Sequence, residues 1–169
     1  MSGDSEEGVQ VAVRMRIFNQ REKDASATRV IRMTREDVGS KTFIMNPDTE
    51  DEKEFKFDFS FNSHANDPAV GPYASQDTVF DDLGRPVMMC ALEGRNVCLF
   101  AYGQTGSGKT HSMMGGADTT SEERGIIPRL AQDLFMEKKK LEEKTGSTWS
   151  VEFGFVEVYN EKVSDLLAP

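Results

Sequence analysis

Several kinds of residue are scarce in this sequence, and each shortage removes a class of protein. There are two cysteines, Cys90 and Cys98, both within apolar stretches. So few exclude a disulfide framework or a cysteine-built metal site. They read as small buried hydrophobes in a reducing compartment. Positive charge is also short, with 20 Lys+Arg against 29 Asp+Glu and a formal net charge of −9. A chain this acidic repels phosphate backbones and anionic lipid surfaces, which argues against nucleic-acid binding. No run reaches the ~18 apolar residues of a membrane span, so no direct membrane insertion is expected. The opening Met1-Ser2-Gly3-Asp4-Ser5-Glu6-Glu7 has no hydrophobic stretch and is not a signal peptide; residues 1–8 read as a short disordered lead-in. No internal repeat appears. The 169 residues suit one globular domain that can bury roughly two-thirds of its unfolded surface.

The informative feature is a glycine-rich octet, Gly103-Gln104-Thr105-Gly106-Ser107-Gly108-Lys109-Thr110, which matches G-x-x-x-x-G-K-[ST]. Its glycines let the backbone curl until successive N–H groups converge on phosphate oxygens. A helix starting at Lys109 or Thr110 adds partial positive charge at the same point. Lys109 would reach the β- and γ-phosphates, and Thr110 would give its hydroxyl to Mg²⁺. The apolar run Asn96-Val97-Cys98-Leu99-Phe100-Ala101-Tyr102 predicts a buried strand feeding the loop.

The remaining pattern alternates strands and helices. Val9, Val11, Val13, Met15 and Ile17 alternate with Gln10, Ala12, Arg14 and Arg16 and predict a strand. Arg29 to Met33 and Thr42 to Met45 predict short strands around a turn, followed by a solvated acidic loop over 46–52. Phe55, Phe57, Phe59 and Phe61 predict one strand with an aromatic core face. Ser75 caps a helix whose stripe is Val79, Phe80, Leu83, Val87, Met88, Ala91 and Leu92. Gly84 and Pro86 predict a kink or restart, and Gly94 ends the helix. Residues 115–125 read as an exposed insertion, with a helix resuming near Ile127. Trp149, Val151, Phe153 and Phe155 predict another strand, and Val163, Leu166 and Leu167 a short terminal helix. The implied fold is α/β, with helices on both faces of a central sheet.

These residues together resemble the kinesin motor domain along nearly the whole chain after Gly8. Val11-Ala12-Val13-Arg14-Met15-Arg16-Ile17-Phe18-Asn19 is similar to the family's V-x-V-R-x-R-P-F-N opening. Phe57-Asp58-Phe59-Ser60-Phe61 and Ser75-Gln76-Asp77-Thr78-Val79-Phe80 resemble two further family segments. The stretch from Glu93 to Thr110 is similar to G-x-N-x-x-[IV]-F-A-Y-G-Q-T-G-S-G-K-T. Gly125-Ile126-Ile127-Pro128-Arg129 and Glu157-Val158-Tyr159-Asn160-Glu161-Lys162-Val163-Ser164-Asp165-Leu166-Leu167 complete the pattern. The loop from Asn62 to Gln76 and Met113-Met114-Gly115 look most like the vesicle-transporting branch that carries a forkhead-associated domain.

The resemblance implies a P-loop NTPase fold of kinesin motor type, with a mostly parallel or mixed sheet. It implies ATP or ADP with Mg²⁺ as ligands, and microtubules (tubulin) as the partner in the cytoplasm. Arg14 and Arg16 would lie near adenine and ribose, Ile17 would stand where the family has Pro, and His111 would stack on the base. His64 is assigned no role. The family's N-x-x-S-S-R-S-H and D-L-A-G-S-E switch motifs do not occur. Residues 9–169 are therefore expected to be the N-terminal half of a motor domain, incomplete on its C-terminal side. Most microtubule contacts would lie beyond residue 169, and the chain alone would show no microtubule-stimulated ATPase. Other readings use the same loop differently. A phosphotransferase or GTPase leaves the flanking stretches unexplained, and a GTPase would want N-K-x-D, which is absent. A silent interaction module derived from a truncated motor is the remaining alternative.

Overall fold

A computed structural model describes residues 8–35, 39–64, 70–116 and 122–169. Contacts divide it into two compact units, Met1–Ala131 and Gln132–Pro169. The lead-in at 1–7, Pro68 and the centre of the expected insertion at 117–121 lie outside the described residues.

The first unit contains two sheets. Strand β1 (Ala12–Met15) runs parallel to β5 (Phe59–Asn62), with Ala12 opposite Phe59 and Met15 opposite Asn62. Strands β2 (Ile31–Arg35), β3 (Ser40–Met45) and β4 (Glu52–Phe57) form an antiparallel sheet in that order. A short helix α1 (Gln20–Asp24) follows β1. It is closed by a capping box in which Asn19 and Glu22 satisfy each other's backbone N–H groups. The strands expected around 29–33 and 42–45 are β2 and β3.

The aromatic run from Phe55 to Phe61 is two strands in two sheets, and not one strand. The break is at Asp58. Its carboxylate accepts Val11 N–H at 2.7 Å, while the N–H groups of Asp58 and Phe59 turn to Val11 C=O at 3.1 and 3.3 Å. Backbone groups must find partners, and Val11 supplies them at this corner. The chain thereby leaves the antiparallel sheet and joins β1.

Ser75 accepts the Thr78 N–H and starts α2 (Gln76–Val79). The expected disturbance at Gly84 and Pro86 is a π-helical turn over Phe80–Gly84, continuing into α3 (Arg85–Leu92). Pro86 brings no N–H to the ladder, and the wider turn absorbs the lost bond without breaking the helix. Two apolar cores result. Phe61, Ala74, Val79, Phe80 and Ile126 form one, and Met15, Met33 and Val70 the other.

Three expectations fail here. Residues 97–102 form no strand, and Phe100 and Tyr102 are 75% and 97% exposed. A buried parallel strand needs neighbours on both sides, and among the described residues no strand pairs with this segment. Cys98 is consequently exposed rather than buried, while Cys90 is half-buried. The terminal helix is also absent: Val163 lies in a strand of a β-hairpin, and Leu166 and Leu167 form a turn after it.

The division between units falls within α5 (Ile126–Thr145). In the second unit Lys138 and Glu142 pair across one turn at 2.7 Å, and Glu142 also accepts Trp149 N–H. Strand β6 (Val156–Tyr159) pairs with β7 (Lys162–Asp165) through Asn160-Glu161, both with positive φ. That geometry belongs to the tight hairpin turn whose twist matches its strands, so the chain reverses instead of coiling. The strand expected over 149–155 begins only at Val156, and every residue from Glu143 to Pro169 is exposed.

Candidate functional site

The glycine loop sits where the sequence puts it, immediately before α4 (Lys109–Met113). Gly106 and Gly108 have φ of +79° and +95°, a left-handed backbone that residues with a Cβ avoid. A Cβ on Gly103 would stand 2.5 Å from Ser107 Oγ, so that hydroxyl would have to shift. The tip of the loop is open: nothing lies within 4 Å of a Cβ placed on Gly106. Gln104, Thr105 and Thr110 are exposed, and Ser107 is half-buried. Lys109 does not extend into solvent. Its ammonium donates to Gly103 C=O at 2.7 Å and Gln104 C=O at 3.0 Å, inside the crook of the loop.

A cleft of about 770 Å³ adjoins this loop. It is lined by Ser107, Gly108 and Lys109 on one side and by Arg14, Arg16 and Ile17 on the other. The loop and the residue that follows β1 are in contact range here, since a Cβ on Gly108 would stand 3.6 Å from that of Arg16. The structure thus brings together the sequence candidates Arg14, Arg16, Ile17, Ser107, Gly108, Lys109 and His111. Gly103, Gln104, Thr105, Gly106 and Thr110 belong to the same loop or helix but do not line the cleft.

The two arginines are held differently. Arg16 forms a bidentate pair with Glu22, at 2.7 and 2.6 Å, and also donates to Ile17 C=O. This hydrogen-bonded pairing raises the Arg16 pKa and lowers that of Glu22 to about 2. Arg14 is half-buried, and burial pulls its guanidinium below the ordinary value, with Tyr73 and Glu123 opposing that pull. Its Nε donates to Ser63 Oγ at 2.9 Å. Its Nη1 donates to Gln76 Oε1 at 2.9 Å and Ser112 Oγ at 3.1 Å. His111 places Nδ1 3.3 Å from Gln76 Nε2 and Nε2 3.4 Å from Glu123 Oε2. His64 touches the site from behind, with Nε2 3.1 Å from Arg16 C=O and its ring edge-on to Phe18.

Gln76, Ser63, Ser112 and Glu123 were not candidates from sequence. One of them left a signal. Gln76, Val79, Phe80 and Leu83 have the i, i+3, i+4, i+7 spacing of a core stripe, and a polar residue in such a stripe needs a buried partner. Among the described residues no cluster of His, Cys, Asp or Glu is arranged to hold a metal, and no helix is long and apolar enough to cross a membrane.

Comparison with known proteins gives concordant results. A family profile described as the kinesin motor domain matches residues 14–169. Kinesin-like protein KIF1A of Rattus norvegicus is 43% identical over 165 residues, covering 95% of this chain and 9% of that protein. A solved KIF14 chain with ADP in complex with a microtubule superposes with TM-score 0.72 and 42% identity, covering 96% of this chain and 42% of its own. A Drosophila kinesin, Kin10/NOD, in complex with divalent manganese and ADP, superposes with TM-score 0.73 and 30% identity, covering 96% and 48%. The chain therefore spans under half of each of these relatives. Near-equal identity to KIF1A and KIF14 does not separate one branch from another.

Proposed function

This chain belongs to the kinesin motor-domain family, and on that premise we propose that it carries the nucleotide-binding part of an ATP-driven motor that moves on microtubules. The observation that carries the reading is a single cleft bordered by the glycine loop with Lys109 and by Arg14, Arg16 and Ile17. In this reading the backbone N–H groups of Gly103, Gln104, Thr105, Gly106, Ser107 and Gly108 wrap the phosphates. Lys109 neutralises the β- and γ-oxygens, and Thr110 offers its hydroxyl to Mg²⁺. Bound ATP would supply the γ-phosphoryl group whose transfer to water drives such a motor, and Mg²⁺ would neutralise the charge on its phosphates.

The residues present fit that ligand. The loop conformation requires glycine at 106 and 108, and its tip faces open space. The Lys109 ammonium is held by neutral carbonyls, which charged phosphate oxygens outmatch as acceptors. Thr110 is exposed at the first turn of α4. Arg14, Arg16 and His111 form the base and ribose end, where exposed Ile17 offers an apolar face in place of the family's Pro. The KIF14 and NOD complexes, with ADP, manganese and a microtubule, support the nucleotide, the divalent ion and the partner.

Residues 9–169 act in this reading as the N-terminal half of the motor domain, and the protein works on cytoplasmic microtubules. The 42% share of the KIF14 chain supports that division. Switch residues and most of the microtubule surface lie in the other half. The isolated chain is expected to bind nucleotide without microtubule-stimulated turnover. Titration of labelled Mg-ADP tests the reading. Lys109→Ala is expected to weaken binding by about tenfold or more, the scale of a lost charge-assisted contact. Equal affinity of both proteins overturns the role of Lys109.

A further inference from the structure

Gln76 lies at the centre of the cleft's polar contacts, yet neither the motif nor the proposed chemistry uses it. It is 5% exposed, in the first turn of α2. Its Oε1 accepts Arg14 Nη1 at 2.9 Å. Its Nε2 donates to His111 C=O at 2.9 Å, lies 3.3 Å from His111 Nδ1, and reaches Glu123 C=O at 3.5 Å. One buried amide thus joins β1, α2, α4 and the segment before α5. Both ends are satisfied, so its orientation is fixed by the network: the oxygen faces the guanidinium and the nitrogen faces two carbonyls.

We propose that Gln76 is a positioning residue for the base end of the nucleotide cleft, holding Arg14 and His111 at the wall where a purine would lie. The inference rests on the nucleotide reading of that cleft. Arg14 Nη1 has two acceptors, Gln76 and Ser112, while Nη2 has no hydrogen bond among the described residues. Gln76 therefore pins one arm of the guanidinium and leaves the other for the cleft. The same amide holds the first turn of α4 through His111 C=O, which sets the height of the His111 ring beside Arg14. Removing the amide releases both groups at once, while no hydrogen bond joins the Gln76 side chain to the glycine loop among the described residues and the Lys109 ammonium keeps its own anchors, Gly103 C=O and Gln104 C=O.

A role confined to the base end separates two ligands. In the 169-residue chain with Mg²⁺, Gln76→Met is expected to weaken ADP binding about tenfold, the scale of losing a hydrogen bond to a charged group. Pyrophosphate, which lacks base and ribose, is expected to bind as to wild type within about twofold. Gln76→Glu keeps an acceptor opposite Arg14 but replaces the donor to His111 C=O with a carboxylate oxygen, and serves if the Met variant does not fold; it too is expected to weaken ADP binding, with pyrophosphate again unchanged. In an Arg14→Ala background, Gln76→Met should have little further effect on ADP, because coupled residues are not additive. Unchanged ADP affinity in Gln76→Met, or equal losses for ADP and pyrophosphate, overturns the positioning role. A wild-type chain that binds neither ligand overturns the nucleotide reading itself, and this inference with it.

Discussion

Phe61 and Phe153 are both aromatic residues in alternating runs, and the chain treats them in opposite ways. Phe61 is 2% exposed and packs with Ala74, Val79, Phe80 and Ile126. Phe153 is 71% exposed, and its ring neighbour is Phe155 at 6.3 Å. Around Phe61, elements far apart in sequence converge: β1 pairs with β5, and α2 and the start of α5 cover it. In the second unit β6 and β7 pair with each other, and all their residues are exposed. A lone two-stranded hairpin is marginal in water, and three strands or a packed helix are needed for independent stability. Alternation decides which residues share a face; burial needs a second element to cover that face.

The sharpest way to break this contrast is to truncate both rings. Phe61→Ala is expected to destabilise the chain by about 3–5 kcal/mol in urea denaturation, the range for an aromatic removed from a closed core. Phe153→Ala is expected to stay within about 0.5 kcal/mol of wild type, as for an exposed position. Comparable losses would mean that the second unit carries a core of its own.

A finer probe adds one methyl group to each region. At Gly84, in the π-helical turn, a Cβ would lie 2.4 Å from Phe80 Cδ2 and 3.2 Å from Ile126 Cγ2. Phe80 is itself buried, so Gly84→Ala is expected to cost about 1–3 kcal/mol by overpacking. At Gly154 nothing lies within 4 Å and φ is not in the left-handed range. Gly154→Ala is expected to be neutral or to stabilise by up to about 1 kcal/mol, through the lower entropy of the unfolded chain. Opposite signs in thermal unfolding support the contrast, and a stabilising Gly84→Ala would break it on the first side.

The same contrast explains what could be read from residue order alone. Local signals carried well. Ser75 caps its helix, Gly84 and Pro86 disturb it, and Gly106 and Gly108 bend the loop, because each effect is settled within a few residues. Signals that depend on distant partners carried poorly. Val97 to Tyr102 have the composition of a buried strand, but composition does not supply the flanking strands. The run from Phe55 to Phe61 reads as continuous, yet the bonds that divide it at Asp58 come from Val11. In the candidate site, Lys109, Thr110 and the glycines follow from motif spacing, and the resemblance supplies Arg14, Arg16 and His111. The contacts that hold Arg14 and His111 come through Gln76, which is 62 residues from one and 35 from the other. No local period encodes that meeting.

The smallest expected effect compares one carboxylate from each region. Glu22 takes both arms of Arg16, at 2.7 and 2.6 Å, whereas Glu142 takes a single ammonium bond from Lys138 at 2.7 Å. A guanidinium fork matches two carboxylate oxygens, while an ammonium acts as a point charge. Both pairings lower the carboxylate, Glu22 to about 2 by Arg16 and the Asn19 N–H, Glu142 by Lys138 and the Trp149 N–H. The sign follows from linkage. A depressed folded-state pKa contributes stability that is fully present above the unfolded-state value and is lost as pH falls through the folded one. For Glu22 that loss runs from the ordinary carboxylate range down to about 2. Both groups are solvated, so the effect belongs in a titration curve and not in a melting temperature. Carboxyl NMR is expected to give Glu22 the lower midpoint, and Arg16→Lys to move it up toward that of Glu142. Added salt should raise both midpoints, because exposed charges are screened. Coincident midpoints in the unmodified chain would show that the fork adds nothing beyond a single charge, and would remove the electrostatic part of the difference between the two regions.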